Sequence, residues 1–299
     1  MAARSGMVRS GSSARQVAAF ATLAAVAVFF VVPIVWLVLQ PSNAVVRPWS
    51  FGSFDQIAQT WNQIFATNWI GGDTLLWLGN STLYSAAGAA IAVGLCIPAG
   101  YGLAVTDFVG RRALLITTMV VMLIPANALV LPLFLEANAV HLLSSPLAVI
   151  LPYGLFPFGV YLAYLYFDTA RVHDLLTAAR MDGCDEWQAF RRVAVPLAAP
   201  VAALIAVLDF VASWTNYFLP WVMYGALNTT GRYPVALGIA AQLIPGQTSG
   251  SYIGNLQLTT TTPPAEIALL ILVTSAPVIV VFVFAQRWIG AGRLQGVFG

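Results

Sequence analysis

The sequence contains no lysine, and charged residues of either sign make up only 8% of its 299 residues. A water-soluble domain carries about 25% charged residues, so this composition excludes an ordinary soluble protein. All 13 basic residues are arginines, and the formal net charge of +2 is too small and too dispersed for a nucleic-acid-binding surface. Hydrophobic residues make up 60% of the chain. The composition is that of a membrane protein, with the lipid bilayer as its surroundings.

Cysteine is also scarce. Cys96 lies in an apolar run and Cys184 in a charged segment, so we expect two free thiols. The sequence has no G-x-x-x-x-G-K-[ST] phosphate-binding loop, no cluster of metal-ligand residues, and no serine, histidine and aspartate set that could share one location. We therefore expect that this chain is not an enzyme and binds no cofactor or metal of its own.

Six apolar segments are long enough to cross a bilayer, whose core of about 30 Å needs about 20 residues of helix. They are residues 17–39, 78–105, 113–135, 147–167, 201–222 and 265–284. The first is longer than the core of a signal peptide, which has roughly 7–15 residues, so we interpret it as a retained helix. Residues 1–16 and 285–299 then form cytoplasmic tails, and residues 17–284 form the transmembrane domain.

The arginines are distributed unequally between the two sides of these spans. With the amino terminus in the cytoplasm, the outside segments hold only Arg47 and Arg232. The inside segments hold Arg4, Arg9, Arg15, Arg111, Arg112, Arg171, Arg180, Arg191, Arg192, Arg287 and Arg293. Because arginines are enriched in cytoplasmic loops, we expect both termini inside. The predicted fold is an all-α polytopic membrane protein with six transmembrane helices.

Two outer connections are long and polar. Residues 40–77 are rich in tryptophan and asparagine, and residues 224–264 form the longer connection. Both are either contact surfaces for an external partner or solvated loops with interfacial aromatics. The spans themselves are interrupted by Pro98, Pro125, Pro132, Pro152, Pro157 and Pro220. Because proline kinks a helix, this density favours a protein that moves over a static anchor.

Residues 168–200, here named the charged loop, must lie in water between two spans. Asp168 or Thr169 can cap a first helix, and Gly183 fits the left-handed position that ends it. Asp185 can cap a second helix, with Gln188 three residues later completing a capping box. The prediction is a helix, a glycine turn and a second helix at the inner membrane surface. Such an element is either a docking surface for another protein or a solvated connector.

The stretch from Thr177 onward, T-A-A-R-M-D-G followed by V-A-V-P, resembles the EAA loop of ABC importer permeases. That pattern is roughly E-A-A, three residues, G, nine residues and I-x-L-P. The matching residues are Ala178, Ala179, Asp182, Gly183, Pro196 and Pro200. The resemblance implies that the charged loop, with Arg180, is a coupling helix that docks into a separate ATPase subunit. Thr177 replaces the family's glutamate, so an acidic contact is absent or is supplied by Asp174 or Asp185.

The resemblance continues outside the charged loop. Residues 78–81, L-G-N-S, are similar to the start of the family's second helix, and 213–220, S-W-T-N-Y-F-L-P, to a segment of carbohydrate permeases. Residues 286–288 and 292–299 resemble the family's ending, without its usual lysine. Together these motifs resemble maltose-type permeases of the bacterial inner membrane, specifically the smaller, six-helix partner.

This resemblance implies a subunit that works with other proteins. The expected partners are a second homologous permease, two ATP-binding subunits that hold ATP and Mg, and an extracytoplasmic solute-binding protein. The expected function is ATP-driven import of a carbohydrate, either a sugar or an oligosaccharide. Glycerol phosphate or polyols are the alternative cargo. A self-sufficient secondary transporter is an alternative of another class, although such proteins usually carry more intramembrane acids and inverted repeats. A non-transporting scaffold would not need kinked helices.

Asp209 is the one acidic residue well inside a predicted span. An ionisable group in hydrocarbon is costly and usually faces the protein interior or a water-filled cavity. Asp209, Ser213 and Asn216 lie four and three residues apart, so they form one polar stripe, flanked by Trp214 and Tyr217. We predict that this stripe lines a translocation path for hydroxyl-rich solutes. The alternative is that Asp209 joins helices inside the protein.

Overall fold

The structure, a computed structural model, describes residues 10–43, 49–69, 71–225, 231–243 and 263–289. Apart from an isolated β-bridge between Trp69 and Gly72, the regular structure in these ranges is helical. The predicted all-α class is therefore confirmed. Several predicted features lie outside the described residues: Arg4, Arg9, Arg47, Arg293, residues 228–230 and 259–262 of the longer connection, and the tail 292–299.

The α-helices are numbered here in chain order. They are α1 (Ser10–Leu39), α2 (Phe54–Ala66), α3 (Thr74–Val105), α4 (Arg111–Val121), α5 (Val130–Ala139), α6 (Leu147–Tyr153), α7 (Pro157–Phe167), α8 (Ala170–Met181), α9 (Glu186–Ala189), α10 (Val195–Leu197), α11 (Ala199–Thr215), α12 (Phe218–Tyr224), α13 (Val235–Leu243) and α14 (Pro264–Ile289). A π-helical turn at Phe190–Ala194 joins α9 to α10.

Four helical stretches in the described part of the chain are long and apolar enough to cross a membrane: Arg15–Ser42, Thr74–Val105, Leu147–Phe167 and Pro264–Gln286. Two bent pairs raise the number to six if each pair is one span. The pairs are Arg111–Val121 with Ala126–Ala139, bent by 101°, and Glu186–Leu197 with Ala199–Thr215, bent by 66°. The chain is therefore a multi-pass membrane protein with four to six candidate spans.

Two of the six predicted spans, 113–135 and 201–222, are not single straight helices. The first is broken after Val121, the last residue of α4, and the second after Thr215, the last residue of α11. A proline ring clashes with the carbonyl four residues before it. Pro125 lies four residues after Val121, and Pro220 lies four residues after Asn216, the residue that ends α11. Both breaks therefore fall where a downstream proline forbids a regular helix.

The span over residues 147–167 contains a third break of the same kind. Here α6 ends at Tyr153, four residues before Pro157, and Pro157 begins α7. Proline is tolerated at the first position of a helix because its missing N–H would have no partner there. In contrast, Pro33, Pro98 and Pro277 lie inside α1, α3 and α14, which continue through them.

The chain forms two compact units, residues Met1–Ile64 with Thr262–Leu272, and Phe65–Thr261 with Val273–Gly299. In the first unit, most side chains of α1 are exposed, Phe20 by 78% for example. The turn after α1 is closed by Asn43, whose side-chain amide donates to the Ser50 carbonyl at 2.9 Å. The helix α2 occupies part of the connection 40–77, which the sequence analysis treated as a polar loop.

In the second unit, α3 packs against α6, α7 and α11 and carries two clusters of buried side chains. The cluster on its amino half includes Trp77 and Tyr84, and the cluster on its carboxyl half includes Cys96 and Tyr101. The short helix α13 lies within the connection 224–264, where no helix was predicted. Since α3 reaches both clusters, it is the structural centre of this unit.

Candidate functional site

The charged loop folds as a helix, a glycine turn and a helix, as predicted. Gly183 has a φ of +87°, in the left-handed region that favours glycine. Its N–H donates to the Arg180 carbonyl at 3.1 Å, and the Cys184 N–H donates to the Ala179 carbonyl at 3.0 Å. These are the two hydrogen bonds of a Schellman motif. They satisfy carbonyls at the end of α8 and fix the direction of the chain beyond it.

The second helix begins at the predicted capping box. The Asp185 side chain accepts from the Gln188 N–H at 2.7 Å, and the Asp185 N–H donates to the Gln188 side chain at 3.4 Å. At the start of α8, Thr169 occupies the N-cap position, but its side chain makes no capping hydrogen bond. Its hydroxyl donates instead to the Tyr166 carbonyl at 2.9 Å. Local hydrogen bonds therefore fix the turn between the two helices, whereas no side chain caps the start of the first helix.

The predicted coupling residues lie on two faces of α8. Its buried face consists of Val172, Leu176 and Ala179, which are spaced by four and three residues. The residues of the predicted site that are exposed are Asp174, Thr177, Ala178, Arg180, Asp182, Gly183 and Asp185. Ala179 is only 8% exposed. Of the two alanines, Ala178 is therefore the one whose backbone another protein surface could approach.

The two aromatic residues of the second helix differ in their surroundings. The Trp187 side chain is 66% exposed, whereas the Phe190 ring packs against the Tyr101 ring of α3, with centroids 4.9 Å apart. Trp187 and the exposed Met181 leave apolar surface beside the glycine turn.

Glu186 is a residue of the charged loop that sequence reasoning missed. Its carboxylate accepts from the Arg180 guanidinium at 3.0–3.3 Å and from the Tyr101 hydroxyl at 2.5 Å. Tyr101 and Glu186 are 85 residues apart, so no spacing in the sequence links them. The ion pair is about half exposed and contributes little to stability. Its geometric effect is to join the two sides of the glycine turn to α3.

The L-G-N-S motif acts at the opposite end of α3. The Asn80 side-chain amide donates to the carbonyls of Gly231 and Tyr233 at 2.9 and 3.1 Å. The Ser81 hydroxyl accepts from the Val235 N–H at 2.7 Å. One turn further along α3, the Tyr84 hydroxyl donates to the Arg232 carbonyl at 3.1 Å. The segment Gly231–Val235, here named the anchored segment, is therefore bound to α3 through its main chain.

The predicted polar stripe on α11 is mostly buried within the chain. Asp209, Ser213 and Trp214 are each 4% exposed. The Ser213 hydroxyl donates to the Asp209 carbonyl at 2.7 Å, within its own helix. The Trp214 indole N–H donates to the Thr274 carbonyl of α14 at 3.2 Å. These three residues therefore pack against neighbouring helices in this conformation.

Asp209 points toward Gly88 in the middle of α3. A Cβ atom added to Gly88 would lie 3.6 Å from the Asp209 Oδ2 atom and 2.8 Å from the Tyr153 Cβ atom. Only glycine therefore allows α3 and α6 to approach this closely, while the Asp209 carboxylate of α11 lies at ordinary contact distance from the same point. The Oδ2 atom is buried and has no hydrogen-bond partner among the described residues. Asp209 is therefore enclosed by packed helices in the conformation described, and its place in the path stays a prediction.

Asn216 and Tyr217 are the part of the stripe that remains accessible. Asn216 is half-buried in the break between α11 and α12, where its Oδ1 atom accepts from the Leu219 N–H at 3.2 Å. Its carbonyl accepts from the Tyr153 hydroxyl at 3.4 Å. Tyr217 is 46% exposed. The break thus presents one aromatic ring and one amide side chain at the carboxyl end of α11.

The thiols agree with the sequence analysis. Cys96 and Cys184 are both free; Cys96 is buried, and its thiol lies 3.3 Å from the Phe156 carbonyl. Across the described ranges, no group of three or more His, Cys, Asp or Glu residues could hold a metal ion.

A multi-pass helical protein with a folded charged loop between two of its spans has the architecture of a membrane transport subunit. Residues 96–294 match the family described as the binding-protein-dependent transport system inner membrane component, and the chain belongs to this family. The predicted resemblance to ABC importer permeases is confirmed.

Two curated relatives are similar to this chain over most of its length. The arabinooligosaccharides transport system permease protein AraQ of Halalkalibacterium halodurans is 28% identical over 277 residues, which cover 93% of each chain. The maltose/maltodextrin transport system permease protein MalG of Escherichia coli K12 is 30% identical over 236 residues, which cover 74% of this chain and 71% of MalG. Both relatives are named as permease proteins.

A solved structure shares the fold. It is the crystal structure of a bacterial ABC transporter involved in the import of the acidic polysaccharide alginate. The match has a TM-score of 0.74 and 18% sequence identity, and it covers 95% of this chain and 99% of the other. At this identity the likeness shows the architecture alone.

Proposed function

We propose that this chain is one permease subunit of an ATP-driven importer for carbohydrates, either sugars or oligosaccharides. The observation that carries the proposal is the charged loop, which combines the family's A-A and glycine positions with a Schellman turn and a capping box. The names of AraQ and MalG, which refer to arabinooligosaccharides and to maltose and maltodextrin, support a carbohydrate cargo.

In this proposal the chain crosses the bacterial inner membrane six times, with both termini in the cytoplasm. The bent pair Arg111–Val121 with Ala126–Ala139 then counts as one span, and α11 begins the span that follows the charged loop. The charged loop lies on the cytoplasmic side, where its exposed face, from Asp174 to Asp185, docks on one of two ATP-binding subunits. ATP and Mg are held by those subunits, and this chain binds no cofactor. A second homologous permease and an external solute-binding protein complete the importer.

The translocation path lies between the two permeases in this proposal. Tyr217 and Asn216 are the residues of the stripe that a solute reaches first, because they are the least buried. An aromatic ring and an amide suit hydroxyl-rich solutes, by stacking and hydrogen bonding. Asp209, Ser213 and Trp214 lie behind them and enter the path only when α11 moves relative to α3.

The test is transport in proteoliposomes that contain this chain, its partner permease, the ATPase and the binding protein. We expect uptake of radiolabelled neutral oligosaccharides to require ATP and to persist when ionophores collapse the proton and sodium gradients. Uptake by this chain alone, driven by a gradient without ATP, would instead identify a secondary transporter.

Two variants test the path. Tyr217→Ala should lower uptake at subsaturating solute by about tenfold, the effect of losing one good aromatic contact, while ATP hydrolysis continues. Asp209→Ala, compared in the same assay, separates a role in the path from helix packing. An Asp209→Ala protein that assembles and transports normally excludes Asp209 from the path.

A further inference from the structure

Tyr101 lies in the last two turns of α3 and is 5% exposed. Its ring packs edge-on against Phe167 of α7, with centroids 5.5 Å apart, and against Phe190 of the charged loop. A phenylalanine ring would fill the same space between these two aromatics. The packing therefore accounts for the ring of Tyr101 but not for its hydroxyl group.

The hydroxyl group connects α3 to the charged loop. It donates to Glu186 Oε1 at 2.5 Å, and Glu186 is the first residue of α9. The same carboxylate accepts from Nε and Nη2 of Arg180, in the last turn of α8. One carboxylate therefore holds α3 and both helices that flank the glycine turn.

Both sides of the glycine turn are fixed relative to each other. The Schellman hydrogen bonds hold the end of α8, and the capping box of Asp185 and Gln188 holds the start of α9. The positions of Arg180 and Glu186 are therefore set by main-chain geometry on either side of Gly183. The end of α8, the glycine turn and Glu186 therefore form one locally fixed element.

On the other side of the link, α3 extends over a long distance. It has 32 residues, which corresponds to a length of about 48 Å. Close to Tyr101, a Cβ atom on Gly100 would overlap main-chain and side-chain atoms of Ala163, so α3 and α7 are in tight contact. Near its other end, α3 binds the anchored segment Gly231–Val235. α3 therefore connects the region of Tyr101 to the packing of α7 and to the far side of the unit.

We propose that Tyr101 is a positioning residue that transmits movement of the charged loop to α3 through its hydrogen bond with Glu186. This inference rests on the proposed function of the charged loop as the docking element for an ATPase. Phe190 keeps the ring of Tyr101 in place, and the Tyr101 hydroxyl supplies the hydrogen bond to Glu186. Arg180 holds the Glu186 carboxylate in the orientation that the hydroxyl needs.

The test compares Tyr101→Phe with a matched control, Tyr164→Phe, in the complete reconstituted importer. Tyr164 also donates its hydroxyl to a carboxylate, that of Asp168 at 3.2 Å, but only four residues along the same chain segment. Both variants lose one hydroxyl beside an acid, and only Tyr101→Phe loses a link between α3 and α9. The readouts are ATP hydrolysis and import of radiolabelled maltotriose and arabinotriose.

We expect Tyr101→Phe to hydrolyse ATP at the wild-type rate while importing about tenfold less solute per ATP, because a hydrogen bond to a charged group biases an equilibrium by about this factor. Tyr164→Phe should keep the wild-type ratio. Glu186→Gln retains an oxygen that accepts from Tyr101, so its ratio should lie between these two. A Tyr101→Phe importer with the wild-type amount of solute per ATP would overturn the proposal.

A second measurement does not depend on import. Hydrogen exchange at the amides of residues 186–197 in the assembled complex should be faster in Tyr101→Phe than in Tyr164→Phe. Equal exchange in the two variants would overturn the link, whatever the transport result. If the wild-type complex shows no ATP-driven import but exchange differs, the link stands and the proposed function alone fails.

Discussion

At its amino end α3 binds main-chain atoms, whereas at its carboxyl end it binds a side chain. Asn80, Ser81 and Tyr84 contact carbonyls and an N–H of the anchored segment. Tyr101 contacts the carboxylate of Glu186, whose orientation depends in turn on Arg180. Main-chain groups keep their hydrogen-bonding capacity whatever side chain they carry, so the amino end is a fixed attachment. The carboxyl end depends on side chains of both partners and can be released without unfolding either helix.

The largest expected effect comes from Gly100→Ala, which disturbs the carboxyl end through packing alone. The added methyl group would overlap backbone atoms of α7, which cannot move aside as a flexible side chain can. We expect a loss of about 3 kcal/mol of stability, at the upper end for overpacking. The measurement is the thermal unfolding temperature of the variant and the wild type in detergent.

The control for Gly100→Ala is Gly79→Ala on the same helix, where an added Cβ meets nothing within 4 Å. There we expect no loss, and a gain of up to about 1 kcal/mol from helix propensity. Equal unfolding temperatures for the two variants would show that the contact between α3 and α7 is loose.

The next effect concerns the amino end. Asn80→Asp replaces two N–H donors by a carboxylate that faces the carbonyls of Gly231 and Tyr233. We expect a loss of about 2 kcal/mol, the cost of buried acceptors without partners. Limited proteolysis of the anchored segment should be faster. Thr82→Ala is the control, since Thr82 is exposed and its hydroxyl bonds within its own helix. Unchanged proteolysis in Asn80→Asp would mean that the attachment is not held by Asn80.

Gly183→Val disturbs the charged loop without touching α3. A β-branched residue at a φ of +87° costs about 1–2 kcal/mol, so we expect the turn to open and ATP hydrolysis to become uncoupled from transport while the protein stays in the membrane. Gly110→Val is the matched control, because Gly110 has a φ of +94° with open space around it but lies outside the charged loop. Unchanged transport in Gly183→Val would count against the docking role.

The smallest expected effect on stability is that of Glu186→Gln. Its ion pair with Arg180 is about half exposed, so we expect a change of less than about 1 kcal/mol in unfolding free energy. Thermal unfolding at low and high salt measures this change. A larger loss of unfolding free energy would show that the contact at the carboxyl end of α3 stabilises the fold. The two ends of α3 would then not differ in this respect.

Local features of the charged loop could be predicted because their signals lie within a few residues. Gly183 and the pair Asp185 and Gln188 each specify a turn or a cap through their own main chain. The helix breaks were predicted less well. Proline was recognised as a breaker, but α3 continues through Pro98 while α4 ends four residues before Pro125. Whether neighbouring helices accommodate a proline is decided by tertiary packing, which no local pattern contains.

Only those features of the site that depend on residues close together in the sequence could be predicted. The link between Tyr101 and Glu186 joins distant parts of the chain, and the anchored segment is recognised by its main chain, so neither leaves a pattern in the sequence. The polar stripe was identified by its spacing, but its burial against Gly88 could not be. The helices α2 and α13 were missed because both are shorter than a membrane span.

The unequal burial of the two thiols gives the native chain a selective attachment point. Cys96 is 1% exposed, whereas Cys184 is partly exposed and directly follows Gly183. A thiol-reactive fluorophore should therefore label the turn and leave the transmembrane interior unmodified, without any engineered cysteine. Its emission would then follow the arrival and departure of a docked protein at the turn, turnover by turnover, in the unaltered sequence.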